Sequence, residues 1–371
     1  DAETGKTIPY AGAGFQIYDP AGNKVSMTFT YPTPTTIDTF YTDADGQLVT
    51  PEKLEYGKGY SLVEVQAPYG YVLDSTPVPF DVTEENSTQE GGITLIKVDK
   101  PNMAQKGTIS VEKTGEVFFG VNVFGEKDKD VIYQPVYTVK GLAGAVYEIT
   151  ADEDIITPDG TLRYHKGDVV DTVTTDEDGF AKSKELYLGK YTVVEIKAPN
   201  GMVINNEKHS VELTYAGQDV AVTETVTSFY NERQKVKISL EKVLEQNDIF
   251  GIGKNDEIKN ISFGLYAKED IVSSSGTVIP ADGLIEIITL DENGTAIANT
   301  DLPFGSYYIK EITTDEHYIL SDTQYPFTFE YAGQDIEIVE IKVNDGKPIE
   351  NKLIYGSVSG KKIDENGEAL G

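Results

Sequence analysis

The chain contains no cysteine and no tryptophan, only three histidines, and half as many basic residues (31) as acidic ones (62). Without cysteine there is no disulfide to staple a domain and no thiolate to act as nucleophile or metal ligand. The histidines, His165, His209 and His317, stand in three unrelated contexts, so neither a zinc site nor a Ser-His-Asp arrangement is indicated. G-x-S-x-G, Walker A and G-x-G-x-x-G patterns are missing, and carboxylates are so plentiful that no single pair is informative. We therefore expect no cofactor, no metal and no enzyme in the ordinary sense. A net charge of −31 with a pI near 4.4 argues against nucleic acid and against an anionic membrane surface as partners. No run of 18 apolar residues occurs, and no stretch keeps a helical period.

What remains reads as β throughout. Gly14 to Tyr18, Lys190 to Ile196, Val211 to Tyr215, Thr223 to Phe229 and Pro326 to Tyr331 alternate or are β-branched and aromatic, with turn clusters between them. Three runs end in a glutamate: YSLVEVQAPYGYVL from Tyr60, YTVVEIKAPNGMVI from Tyr191 and YYIKEITTDEHYIL from Tyr307. Side chains alternate across a strand, so Glu64 shares a face with Tyr60 and Leu62, Glu195 with Tyr191 and Val193, and Glu311 with Tyr307 and Ile309. A carboxylate on a core face is costly unless it is paired or neutral, so three recurrences call for a role. The same parity puts Lys113 beside Ile109 and Val111, and Lys242 beside Ile238 and Leu240. Asn231 and Asn351 stand at the far end of the same two repeats. TDADGQ at Thr42, TDEDGF at Thr175 and LDENGT at Leu290 precede each glutamate strand. They have too few alternating oxygens for an EF-hand loop, and we read them as tight turns.

The repeat sets the organisation. Glu64 and Glu195 are 131 positions apart, and Glu195 and Glu311 are 116 apart, so each unit has the size of one domain. The expected boundaries are 1–104, 105–234 and 235–353, with 354–371 opening a fourth unit. The second unit carries an insertion at 115–143, containing VFFGVNVFG and DVIYQPVY, which we expect to form an extra hairpin on the second sandwich or, alternatively, a ligand-binding loop. Only 11 positions separate Asn231 from Lys242 and Asn351 from Lys362, so the array is expected to be elongated. Both ends suggest a piece of a longer chain.

A lysine on the first strand, a run resembling Y-x-L-x-E-x-x-A-P-x-G-Y and a terminal asparagine together resemble the collagen-adhesin B-type domains of Gram-positive surface proteins, also called the pilin or prealbumin-like fold. The motif is carried by Tyr60, Glu64, Ala67, Pro68, Gly70 and Tyr71, and by Tyr191, Glu195, Ala198, Pro199 and Gly201, and it has decayed to Asp315-Glu316-His317-Tyr318 in the third unit. The resemblance implies an all-β chain of three tandem Ig-like or prealbumin-like sandwiches, extracellular and attached to the cell wall, with Lys–Asn or Lys–Asp isopeptide bonds formed without an external enzyme.

The chemistry has its own logic. A neutral amine attacks a carboxamide carbon, and burial favours the neutral lysine. Burial also raises a glutamate's pKa, so that it takes the lysine's proton and passes it to the departing ammonia. Glu195 is expected to serve Lys113 and Asn231, and Glu311 to serve Lys242 and Asn351. The first unit keeps Glu64 and an acceptor, Asp99 or, as second choice, Asn102, but no first-strand lysine. Lys362 either serves a following unit or reaches the first unit of another molecule, giving head-to-tail association. The expected function is a stalk or pilus-shaft segment flanked by further domains of the same chain. The alternative is a module that binds host protein or glycan through the aromatic insertion.

Overall fold

The computed structural model describes residues 1–30, 32–90, 93–125, 131–363 and 365–368. Among them only two short 3-10 turns, Glu257–Asn260 and Val343–Gly346, interrupt a β architecture, as the alternating sequence predicts. The chain divides into two bodies. One holds Asp1–Thr114, Gly141–Pro199 and Asn205–Tyr230; the other holds Gly115–Lys140, Asn200–Ile204 and Asn231–Gly371.

In the first body, the first repeat builds a four-stranded sheet in the order Phe40–Tyr41, Gly14–Tyr18, Gly57–Gln66, Val78–Val82. Its core gathers Phe15, Ile17, Met27, Phe40, Tyr60 and Leu62. The second repeat has a four-stranded sheet in the order Val169–Thr174, Val146–Ala151, Gly189–Lys197, Lys208–Leu213. Against it lies the strand opening at Lys106, which pairs antiparallel with Phe180–Lys182 and Leu186–Tyr187. The alternation of Ile109, Val111, Tyr191 and Val193 supplies the shared core, with Tyr147, Ile149 and Phe229. Burying such side chains stabilises by about 1.5–3 kcal/mol each.

In the second body, the third repeat's first strand, Lys235–Leu244, pairs antiparallel with Thr295–Ile297 and parallel with both Ile338–Lys342 and Ile349–Asn351. The facing sheet runs Leu284–Thr289, Ser262–Ala267, Gly305–Thr313, Gln324–Phe329. Ile238, Leu240, Phe263, Leu265, Tyr307, Ile309 and Phe329 fill the space between.

One expectation changes. The insertion does form paired strands, on either side of residues 126–130, which lie outside the described residues, but its apolar side joins the third repeat. Ile132 pairs parallel with Leu284, Ser274 and Ser275 donate backbone hydrogen bonds to the Phe118 and Phe119 carbonyls, and Phe118, Val121 and Tyr133 pack against the third core. Burial of those aromatics there is the physical reason. The segment 354–362, expected to open a further unit, is exposed and carries no strand assignment, and Asp364, the end of that expected strand, lies outside the described residues.

Candidate functional site

Each of the three glutamates follows the same local construction. Glu64, Glu195 and Glu311 stand opposite an aromatic on the neighbouring strand, respectively Phe15, Tyr147 and Phe263, and a β-bulge of one extra residue follows each glutamate. Such a bulge bends the strand and re-aims its side chains. Each glutamate is buried, at 0%, 2% and 2% exposure, and one of its oxygens accepts a backbone N–H ten residues on: Asp74 (3.1 Å), Asn205 (2.7 Å) and Ser321 (3.4 Å).

The third repeat brings a complete set together. Lys242 and Asn351 are each 1% exposed. Lys242 Nζ donates to Asn351 Oδ1 (2.5 Å), which sets the amine against the carboxamide carbon one bond away. Asn351 Nδ2 donates to Glu311 Oε1 (2.6 Å) and to Thr314 Oγ1 (2.9 Å), while Glu311 Oε2 lies 3.7 Å from Lys242 Nζ. One carboxylate oxygen therefore attends the nitrogen that would leave, and the other attends the nitrogen that would attack. Burial holds Lys242 below the usual lysine range, against the raising influence of Glu311, and so favours the neutral amine.

In the second repeat Lys113 Nζ lies 3.1 Å from Glu195 Oε1, and both side chains are shielded from solvent. Tyr147 donates its hydroxyl to the same oxygen at 3.4 Å. Desolvation lowers the Lys113 pKa, partly offset by Glu195. Asn231 is buried at the end of the strand Val222–Asn231.

In the first repeat the acceptor position differs from the leading expectation. Asp99 is exposed, whereas Asn102 is 3% exposed and donates through Nδ2 to Glu64 Oε2 (2.7 Å) and to the Val72 carbonyl (3.1 Å). A recurring backbone bridge fixes the equivalence. The residue two beyond each asparagine pairs with the residue seven beyond each glutamate: Ala104 with Tyr71, Arg233 with Met202, Leu353 with Tyr318. Burial pushes the Glu64 carboxyl up, opposed by the Asp74 and Asn102 hydrogen bonds. Its Oε1 is buried with no hydrogen-bond partner among the described residues.

The Asp-Gly turns belong to the lysine strand. Asp43, Asp176 and Asp291 each take two backbone N–H groups of their own turn on Oδ1, which accounts for the aspartates as turn formers. Gly179 and Gly294, at φ +80° and +76°, accept from the Lys113 and Lys242 amides at 2.7 Å each, and a Cβ at either would meet the lysine's own carbonyl at 2.2 or 2.3 Å. Sequence reasoning missed Thr314 and the facing aromatics, which only the bulged register reveals. Lys362 is exposed.

Three segments, residues 1–97, 135–227 and 250–347, match the SpaA prealbumin-like fold domain, and the chain belongs to that family. It is similar to the trypsin-resistant surface T6 protein of Streptococcus pyogenes serotype M6, with 28% identity over 139 residues, 36% of this chain and 24% of that protein. Among solved structures, the TIE protein of Bacillus anthracis aligns with 94% of this chain and 49% of its own at 22% identity and a TM-score of 0.52. BcpA, the major pilin subunit of Bacillus cereus, aligns over 93% of this chain and 95% of its own at 17% identity and a TM-score of 0.29. The chain spans half or less of the first two. The TIE likeness speaks for the fold alone, and the domains are of the kind found in Gram-positive surface proteins.

Proposed function

We propose that this chain is a segment of a cell-surface stalk or pilus shaft whose sandwiches are locked by self-formed isopeptide bonds. The carrying observation is the third repeat's buried arrangement of Lys242, Glu311 and Asn351. Neutral Lys242 attacks Asn351 Cγ, the new C–N bond replaces the bond to Nδ2, and ammonia leaves. Glu311 takes the proton from Nζ and delivers it to Nδ2. Lys113, Glu195 and Asn231 do the same in the second repeat.

The bond joins the first strand to the strand that ends the repeat, so tension entering by one leaves by the other without loading the ladders between them. A cysteine-free chain gains covalent closure without an oxidising compartment. The protein thus modifies itself once and turns over no substrate. A ligand-gripping role for the insertion has less support, because Phe118, Val121 and Tyr133 are engaged by the third core. Attachment to the wall and further flanking domains complete the proposal.

Intact mass of the denatured chain tests it. We expect the mass to fall short of the sequence by two ammonia molecules, with linked peptides joining Lys242 to Asn351 and Lys113 to Asn231. A mass equal to that of the sequence would overturn the reading.

A further inference from the structure

We propose that each of two Tyr-Ala-Gly-Gln loops, with the linker glutamine beside it, is a docking socket for the Ala-Pro-x-Gly segment of the preceding repeat. The fit selects which repeat packs on which and keeps the linker from turning freely. The inference goes beyond the isopeptide reading and does not depend on it.

The sequence holds both parts of the socket twice. Tyr-Ala-Gly-Gln-Asp occurs at 215–219 and at 331–335, just past the strands Lys208–Leu213 and Gln324–Phe329. Gln105 and Gln234 stand three positions after Asn102 and Asn231, and each is the last residue before a repeat's first strand, Lys106–Phe124 or Lys235–Leu244.

The glutamine shapes the loop. In the first body Gln105 is 1% exposed; its Nε2 donates to the Gly217 and Val220 carbonyls (2.8 and 2.5 Å), and its Oε1 accepts the Ala216 N–H (2.8 Å). In the second body Gln234, also 1% exposed, donates to the Gly333 and Ile336 carbonyls (3.0 and 2.6 Å) and accepts the Ala332 N–H (2.8 Å). Two carbonyls and one N–H at a buried spot call for a primary amide, with its two donors and its acceptor; a glutamate of equal length would turn a carboxylate on both carbonyls.

The loop and the glutamine then hold the guest segment by its backbone. Gln218 accepts the Leu73 N–H on its main-chain carbonyl and the Ala67 N–H on Oε1, at 2.9 Å each, and Tyr215 donates its hydroxyl to the Tyr71 carbonyl (3.4 Å). The second body repeats the pattern, with Ile204 N–H on the Gln334 carbonyl (2.9 Å) and the Tyr331 hydroxyl on the Met202 carbonyl (3.0 Å). The main-chain N–H groups of Gln105 and Gln234 donate to the Gly70 and Gly201 carbonyls, at 2.8 and 2.9 Å. Those two glycines, both at φ +86°, lie bare against the socket wall: a Cβ would meet Pro158 at 2.8 Å or the Phe304 ring at 3.0 Å. The guest is therefore recognised by backbone groups and by a glycine without a side chain, whereas the third repeat carries His317 at that place.

The test uses the full chain. Because it has no cysteine, Lys53→Cys and Lys208→Cys, both at exposed positions, give two unique sites for spin labels on the first and second repeats. We expect a narrow distance distribution that broadens with Gln105→Glu and with Gln218→Ala. Hydrogen exchange should quicken about tenfold or more at the Leu73 and Ala216 amides in Gln105→Glu, and at Ala67 in Gln218→Ala, while the strand Val146–Ala151 keeps its protection. Gln234→Glu should spare those amides and release Ile204 and Ala332 instead. An unchanged distribution with unchanged exchange would overturn the inference. So would loss of protection throughout Val146–Ala151 in both variants of the first socket, which would make these glutamines supports of their own repeat only. Intact mass of the same samples reports the ammonia losses, so the isopeptide reading stands or falls separately.

Discussion

Glu311→Gln is the sharpest perturbation of the third repeat. Glutamine keeps the size of the side chain and its hydrogen bonds to the Asn351 region, but it cannot carry a proton between Lys242 Nζ and Asn351 Nδ2. The two linked positions lie 109 apart, so losing the bond should cost about 4.8 kcal/mol of unfolded-chain entropy. At roughly 4 °C per kcal/mol for a repeat of this size, its melting transition should fall by about 15–20 °C. Exchanging one buried hydrogen-bonding group for another changes stability by only about 1 kcal/mol, so the two effects are separable. Calorimetry should be paired with intact mass, which should show one ammonia retained. Lys242→Met removes the nucleophile by a different route, and adding Glu311→Gln to it should lower the transition by less than about 1 kcal/mol more. A Glu311→Gln chain that has lost the ammonia, or one that retains it without melting earlier, would refute the reasoning.

Glu195→Gln should retain one ammonia in the second repeat, with a comparable fall in its melting transition. Gly294→Ala should block the tight approach to the Lys242 carbonyl and destabilise by about 1–3 kcal/mol, read by denaturant titration. The Glu64 carboxyl is raised by burial, so between the unfolded pKa and the native one the native state holds more protons, and stability drops as pH rises through that window. Glu64→Gln should remove that slope in melts run from pH 4 to 8; an unchanged slope would assign it elsewhere. Tyr133→Ala should destabilise the third repeat, not the second, by about 1–3 kcal/mol, as hydrogen exchange resolved by repeat would report.

The glutamates were legible because a two-residue period leaves no ambiguity of face: once Tyr60, Leu62 and Glu64 alternate, burial of one predicts burial of all. The lysines followed by the same parity. Asn102 was harder, because the last strand of the first repeat is irregular and offers no alternation to count. Yet the spacing held a signal: Asn102 precedes Lys113 by 11 positions, as Asn231 precedes Lys242 and Asn351 precedes Lys362, whereas Asp99 breaks that interval. The facing aromatics were hidden because a bulge shifts register without leaving a mark in the sequence. The destination of the insertion was equally hidden, since an apolar hairpin declares that it will be buried but not against which neighbour.

That last point bears on how such chains are inherited. The repeat reads as a unit that could be copied, lost or exchanged at a boundary near Gln234. In the folded protein, however, Phe118, Val121 and Tyr133, encoded more than a hundred residues upstream, wall the core that begins at Lys235. A recombination that delivered the third repeat without the second would strip that core of part of its lining. The two are therefore expected to travel as a pair through duplication and exchange.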